Sequence, residues 1–291
     1  MKTSYLFAFI ALFAVALVFG CIGGGGTSNQ TNTSSALKVT PTQTVAGGTM
    51  TIQYTLTNSY ENNMKNVKIS LVGVPSNYGI PAPQTITTIV SNQQYPAIFT
   101  ITAPTSINIK QTLNPKLQVC YTYDTNYFFD MLFKTTSLAT ETATAEHGYS
   151  TGPVSVTQMG MDTIFTNTQD HVGSLQITNT GSGKIMSFGS ISINKPTGSL
   201  FVDSIGLAYS TCGGTTGSRT ITPTDTGDCS ILGNTLAISN GLTATIKMTT
   251  TTAANKITAV TTERIDGTVT SDYCYDVPVG TLTVCPAGKA C

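Results

Sequence analysis
The stretch Thr49-Met50-Thr51-Ile52-Gln53-Tyr54-Thr55-Leu56-Thr57-Asn58 puts Ile52, Tyr54 and Leu56 at every second position. Side chains of an extended strand alternate between its two faces, so this period reads as a strand with one face on a core and one in water. The pattern recurs in Lys65–Leu71 (Val67, Ile69, Leu71), at Ala97, Phe99 and Ile101, and at Leu117, Val119, Tyr121 and Tyr123. Breaks fall at Gly47-Gly48, Glu61–Met64, Pro75–Pro83, Pro104 and Asn114-Pro115. Short strands separated by regular turn signals predict a β-sandwich. Threonine is frequent throughout, favours strands and is weak in helix interiors, and no convincing amphipathic helix follows Gly26. The expected fold class is all-β.

Composition narrows the partners. Charged residues make up 10% of the 291 residues, against roughly a quarter in ordinary soluble proteins, so the surface must be built mainly from Thr, Ser, Asn and Gln. Lys and Arg number 14 and Asp and Glu number 14, with no basic or acidic block. Such a chain offers no electrostatic footprint for nucleic acid or anionic lipid.

The N-terminus reads as an export and anchoring segment, with Lys2 before an apolar run from Tyr5 to Phe19 and then Gly20-Cys21. That length suits a secretory core and is short for a membrane span, which needs about 20 residues. Val18-Phe19-Gly20-Cys21 resembles a lipoprotein lipobox, although Phe19 stands where a small residue is usual. The resemblance makes Cys21 the expected lipidation site; an uncleaved signal anchor and simple secretion are the alternatives. Residues 1–21 are thus read as signal peptide or anchor, and residues 22–36, rich in Gly, Ser, Thr and Asn, as a flexible stalk. The stalk holds two Asn-x-Ser/Thr acceptors, Asn29 and Asn32, the expected glycosylation sites. The expected location is the extracellular face of the cell membrane.

Six cysteines remain once Cys21 is set aside, and an even set in an exported chain points to disulfides. Cys212 and Cys229 flank a Gly/Thr-rich loop and form the first expected pair. Cys285 and Cys291 form the second, with Cys274–Cys285 competing, while Cys120 is read as a buried free thiol. The cysteine and histidine spacing fits no zinc site, so no metal and no cofactor is expected.

The expected organisation is a sandwich over residues 37–136, a linker over 137–152, and a second sandwich over 153–291 with a disulfide-stapled insertion at 210–233. The second echoes the first: Leu175–Asn179 matches Tyr54–Asn58 in residue type, and Tyr273-Cys274-Tyr275-Asp276 matches Tyr121-Thr122-Tyr123-Asp124.

Val45-Ala46-Gly47-Gly48, the strand ending Leu56-Thr57-Asn58, Val67–Leu71 and Phe99–Pro104 together resemble the CARDB type of immunoglobulin-like domain common in archaeal surface proteins. The resemblance covers about a hundred residues. It implies two tandem immunoglobulin-like sandwiches in adhesion or spacing, and brings no catalytic residues.

Bland readings hold for the candidate chemistry. Asp225 and Asp228 lack a calcium-loop pattern. Asp124 and Asp276 read as strand-end turn formers. Glu146-His147 and Asp170-His171 are adjacent pairs whose side chains would face opposite ways on a strand. Tyr127, Phe128, Phe129 and Phe133 read as core or as packing between domains. No nucleophile elbow is present and no catalytic residue is expected. The expected role is a non-catalytic, membrane-anchored module that meets a surface protein or glycan. The alternative is self-assembly into a layer or filament, with residues 137–152 or the stalk donating a strand to a neighbouring copy.

Overall fold
A computed structural model of the chain describes residues 36–166, 170–194, 199–209, 212–213, 219–221, 241–251, 254 and 257–289. The first half holds β1 (Ala36–Thr40), β2 (Gln43–Val45), β3 (Thr49–Thr57), β4 (Met64–Val72), β5 (Gln84–Ile89), β6 (Gln94–Thr102), β7 (Gln111–Leu113) and β8 (Lys116–Lys134). A 3-10 turn, Thr136–Leu138, leads to β9 (His147–Tyr149), β10 (Val154–Met159), β11 (Thr163–Phe165), β12 (Asp170–Asn179) and β13 (Lys184–Asn194). The remainder is β14 (Val202–Tyr209), β15 (Cys212–Gly213), β16 (Arg219–Ile221), β17 (Gly241–Thr250), β18 (Thr261–Pro278) and β19 (Leu282–Cys285). The protein is all-β, and among the described residues there is no α-helix.

The periodic stretches form the expected strands. In β3, Met50, Ile52, Tyr54 and Leu56 are buried between exposed or half-buried neighbours. Its partners are β1 and β6, in the order β1-β3-β6. A second sheet runs β10-β12-β17-β14-β15, a third β2-β19-β7, and an eight-stranded sheet is built on the path β16-β13-β18-β8-β4-β5. One contiguous apolar cluster joins all of these layers, from Met50 to Val284.

The centre of the molecule is the antiparallel pair β8–β18, which the expectation of tandem sandwiches did not include. Every residue of β18 pairs with β8, from Thr261 opposite Phe133 to Pro278 opposite Lys116. Strand β4 continues the sheet beyond β8, and β13 continues it beyond β18. Each long strand serves both cores. Tyr275 of β18 reaches Tyr54 of β3 through their hydroxyls, 3.3 Å apart, while Phe133 of β8 packs on Phe201, at 5.4 Å between ring centroids. The C-terminal strand β19 returns between β2 and β7 of the first half. The limits drawn at 136, 152 and 153 therefore separate residues that share sheets, and all described residues belong to one compact unit. Residues 147–149 of the expected linker are already paired with β8, so they are not free to serve as a donated strand.

The internal echo is structural, in a different register from that expected. Asn58 accepts from the Tyr60 N–H and donates to the Asn62 carbonyl; Asn179 accepts from the Gly181 N–H and donates to the Gly183 carbonyl. The Asn62 N–H then donates to the Tyr123 hydroxyl, and the Gly183 N–H to that of Tyr273. Tyr273 thus corresponds to Tyr123, two residues from the match with Tyr121 read off the sequence. Because the strands are antiparallel, the local two-fold axis passes through the Thr122–Asp272 pair, where Thr122 donates to Asp272 at 2.7 Å.

The two Cys/Asp positions flanking that axis also correct the sequence reading. Cys120 is not a free thiol: it is bonded to Cys274, directly opposite on β18, which also removes the Cys274–Cys285 alternative. At the equivalent place across the axis, Thr270 donates to Asp124 at 2.7 Å. Asp124 and Asp276 stand within strands rather than at turns, paired with Lys65 at 2.6 Å and Lys116 at 3.4 Å.

A groove at the junction of the two halves
The turn after β3 is organised by Asn58, which is fully buried and donates to both Asn62 O and Ile89 O. A short polar side chain suits this role because it substitutes for backbone partners in a tight turn. The turn carries Glu61 and Asn62 to the chain entering β10. Glu61 and Thr151 exchange two hydrogen bonds, the Glu61 N–H to Thr151 Oγ1 at 3.3 Å and the Thr151 N–H to Glu61 Oε2 at 3.2 Å. Asn62 Nδ2 donates to Asp124 O at 2.7 Å and to Ser150 Oγ at 2.9 Å.

On the other side, β9 lies along β8 with Tyr149 opposite Tyr127 and Gly148 opposite Phe128. Only a glycine allows this approach: a Cβ on Gly148 would lie 2.8 Å from the Phe128 ring. The Arg264 guanidinium lies 4.2 Å from the centroid of the Phe128 ring. Arg264 also holds Asp130 through Nε at 2.8 Å and Nη2 at 3.2 Å, and reaches Glu146 at 3.1 Å. The Arg264 hydrogen bonds keep the Asp130 carboxyl below the usual carboxylate range.

Between these walls lies an open groove of about 520 Å³. Asn126 and Thr268 form part of its floor, joined by a 3.1 Å bond from Thr268 Oγ1 to Asn126 Oδ1. Asn194 and Asp266, opposite one another on β13 and β18, also line it, as do Glu61 and Asn62. Tyr149 lines it with 45% of its surface exposed. The lining therefore offers amides, carboxylates, hydroxyls and one open aromatic ring, and contains no Lys or Arg. It can accept hydrogen bonds from a hydroxyl-rich or cationic group while stacking an apolar face on tyrosine.

The tyrosines around this junction are buried acids. Burial pushes Tyr123 up to about 12, and raises Tyr121 and Tyr127 as well. For Asp124, desolvation raises the pKa, but the hydrogen bonds from Lys65 and Thr270 outweigh it and leave the group lowered.

Of the described residues singled out in the sequence, Tyr127 and Phe128 line this groove and the others do not. Cys21, Asn29, Asn32, Asp225, Asp228, Cys229 and Cys291 lie outside the described residues, as does most of the insertion 210–233. Cys212 begins β15, and its pairing with Cys229 falls outside what is described. Cys285 is disulfide-bonded. Glu146 is engaged by Arg264, and Asp170 accepts from Thr249 at 3.1 Å. Tyr127, Phe129 and Phe133 are buried in the core. Among the described residues no group of three His, Cys, Asp or Glu side chains is gathered as a metal would require, and no helix is long and apolar enough to cross a membrane. The groove residues Glu61, Asn62, Tyr149, Asn194 and Asp266 come from four segments, and no spacing in the sequence marks them.

No family model matches the chain, and no curated protein matches it. Among solved structures, the secreted serine protease VesC from Vibrio cholerae aligns at 10% identity and a TM-score of 0.20, over 81% of this chain and 48% of that one. The chain thus spans about half the length of that protease. The collagen adhesin from S. aureus aligns at 10% identity and a TM-score of 0.13, covering 86% of this chain and 91% of the adhesin. The collagen binding domain of the Erysipelothrix rhusiopathiae surface protein RspB gives the same identity and TM-score, over 86% and 93%. Likenesses this low carry no argument about activity or partner.

Proposed function
We propose that the chain is a non-catalytic, membrane-anchored module of the cell surface, and that it holds a neutral glycan in the groove between its halves. The observation that carries this reading is the groove itself, with its acceptor-rich lining, its exposed Tyr149 ring and its lack of any basic side chain. Sugars present hydroxyl edges and apolar ring faces, and such a lining meets both. An anionic ligand would face the Glu61 and Asp266 carboxylates without a counter-charge.

Each half is read as an immunoglobulin-like sandwich. The order β10-β12-β17-β14 against β13-β18 follows the two-sheet strand order of that fold, and β1-β3-β6 against β4-β8 follows it in part. The place beside the sixth strand, where a seventh would normally pair, is taken in each half by the long strand of the other. Such interlocking suits a rigid presenting platform on a stalk. Lipidation at Cys21 and glycosylation at Asn29 and Asn32 belong to the same reading, since both suit a tether outside the cell.

The test is a glycan array probed with the intact chain and with Tyr149→Ala and Asp266→Asn. Binding of neutral oligosaccharides that falls at least tenfold in both variants, with unchanged thermal stability, supports the groove. Glycan binding that both variants retain in full overturns it.

A further inference from the structure
The two long strands carry an internal control for the Cys120–Cys274 bond. Across the local two-fold axis the corresponding pair is Asp124 and Thr270, directly opposite one another and joined by a single hydrogen bond of 2.7 Å. The ladder keeps its register there with no covalent link. The fold therefore does not require a disulfide at this position, and its presence at one of two equivalent places calls for another account.

The bond is open to attack. Both cysteines are half-buried, and Cys274 lines a pocket of about 370 Å³ together with Gln118, Ser182, Lys184 and Asp276. Cys285, by contrast, is fully buried. A single row crosses the sheet as Lys68, Cys120, Cys274 and Lys184, each directly opposite the next on β4, β8, β18 and β13. Opposite residues of paired strands share a face, with Cβ atoms about 5 Å apart. One lysine thus stands beside each cysteine. Both lysines are exposed, and neither belongs to an ion pair among the described residues. The carboxylates two places from Cys274 on the same face are engaged elsewhere. Asp272 accepts from Thr122 at 2.7 Å and Ser187 at 2.6 Å, and Asp276 is paired with Lys116 at 3.4 Å.

We infer that the Cys120–Cys274 bond is a thiol–disulfide exchange site for a small-molecule dithiol, with Lys68 and Lys184 as positioning residues. The thiolate is the attacking species, and a nearby cation both attracts it and stabilises a thiolate that departs. One thiolate of the dithiol enters the pocket and attacks Cys274 Sγ. The S–S bond breaks, its electron pair leaves on Cys120 Sγ beside Lys68, and a mixed disulfide joins the dithiol to Cys274. The second sulfur of the dithiol, as a thiolate, then attacks the first, and Cys274 departs as a thiolate beside Lys184. The two protons given up by the dithiol pass to the two cysteine sulfurs. The dithiol is oxidised to a disulfide, the protein takes up two electrons, and the β8–β18 ladder stays paired. This pocket shares no residue with the groove, so the exchange is independent of any glycan.

The test is native reduction of the full chain in detergent with dithiothreitol, the thiols being trapped by iodoacetamide and located by mass spectrometry. Cys120 and Cys274 should become labelled together, roughly tenfold or more faster than Cys285, with an unchanged circular dichroism spectrum. Lys68→Gln/Lys184→Gln should slow that labelling roughly tenfold at unchanged thermal stability, and should abolish its slowing by added salt. Three results would each overturn the proposal: labelling of Cys120 and Cys274 no faster than that of Cys285, labelling only in urea that unfolds the chain, or a lysine variant that exchanges at the wild-type rate.

Discussion

Asn58 and Asn179 show how a single side chain sets the geometry of this molecule twice. Each closes a turn after an inner strand and delivers the next residues to a tyrosine of a long strand. Asn58 is fully buried, so Asn58→Ala should cost about 2 kcal/mol or more, because the Ile89 and Asn62 carbonyls lose their donor with no water to replace it. Asn179→Ala, in a less buried turn, should cost less; urea unfolding of both variants measures the difference. The buried tyrosines set an alkaline limit. Their folded pKa values are raised above the ordinary value near 10, so the stability they contribute is full below pH 10 and is lost as the pH rises toward about 12 and beyond. Absorbance at 295 nm should therefore show Tyr121, Tyr123 and Tyr127 ionising only with cooperative unfolding. Ionisation of all twelve tyrosines near pH 10 with the fold intact would contradict their burial. Asp124 and Asp130 act in the opposite sense. Their carboxyls are lowered in the fold, so their contribution is present above about pH 4 and fades as the pH falls through the lowered values.

Among the elements, β3, β4, β6 and the first part of β8 were legible because each has one buried face, which period two reports directly. The second part of β8 was not. From Phe129 to Lys134 both faces are buried, so alternation disappears and the run reads as an undirected aromatic cluster. Strand β18 hides for a different reason: Thr, Asp and Cys occupy its half-exposed face, Gly267 and Ser271 interrupt its buried one, and its partner lies far away in sequence. The tyrosine echo did hold a clue, since Cys120 adjoins Tyr121 and Cys274 adjoins Tyr273. Reading that echo as a repeat alone left the pairing unseen. None of the groove's geometry was legible, because its walls meet only after β9, β13 and β18 have joined β8. The disulfide closes a sequence separation of 154 residues. Replacing both cysteines with alanine should lower stability by about 2–5 kcal/mol through a freer unfolded chain. The β8–β18 ladder should persist without it, and hydrogen exchange of the β8 amides reports whether it does.

At the scale of the whole molecule, the two halves complete each other. Tyr275 belongs to the later half and packs with Tyr121, at 6.3 Å between ring centroids, beside Tyr54. Phe129 and Phe133 belong to the earlier half and are fully buried among residues of the later one. Residues 36–152 and 153–289, expressed separately, should each fail to fold, and the intact chain should unfold in one transition seen alike by circular dichroism and tyrosine fluorescence. Two separated transitions would point to autonomous sandwiches. The central claim is the register in which β8 meets β18, and its most direct test is a digest of the unreduced protein analysed by mass spectrometry. The account predicts one peptide containing Cys120 joined to one containing Cys274. Recovery of Cys120 as a free thiol, or joined to any other cysteine, would contradict it.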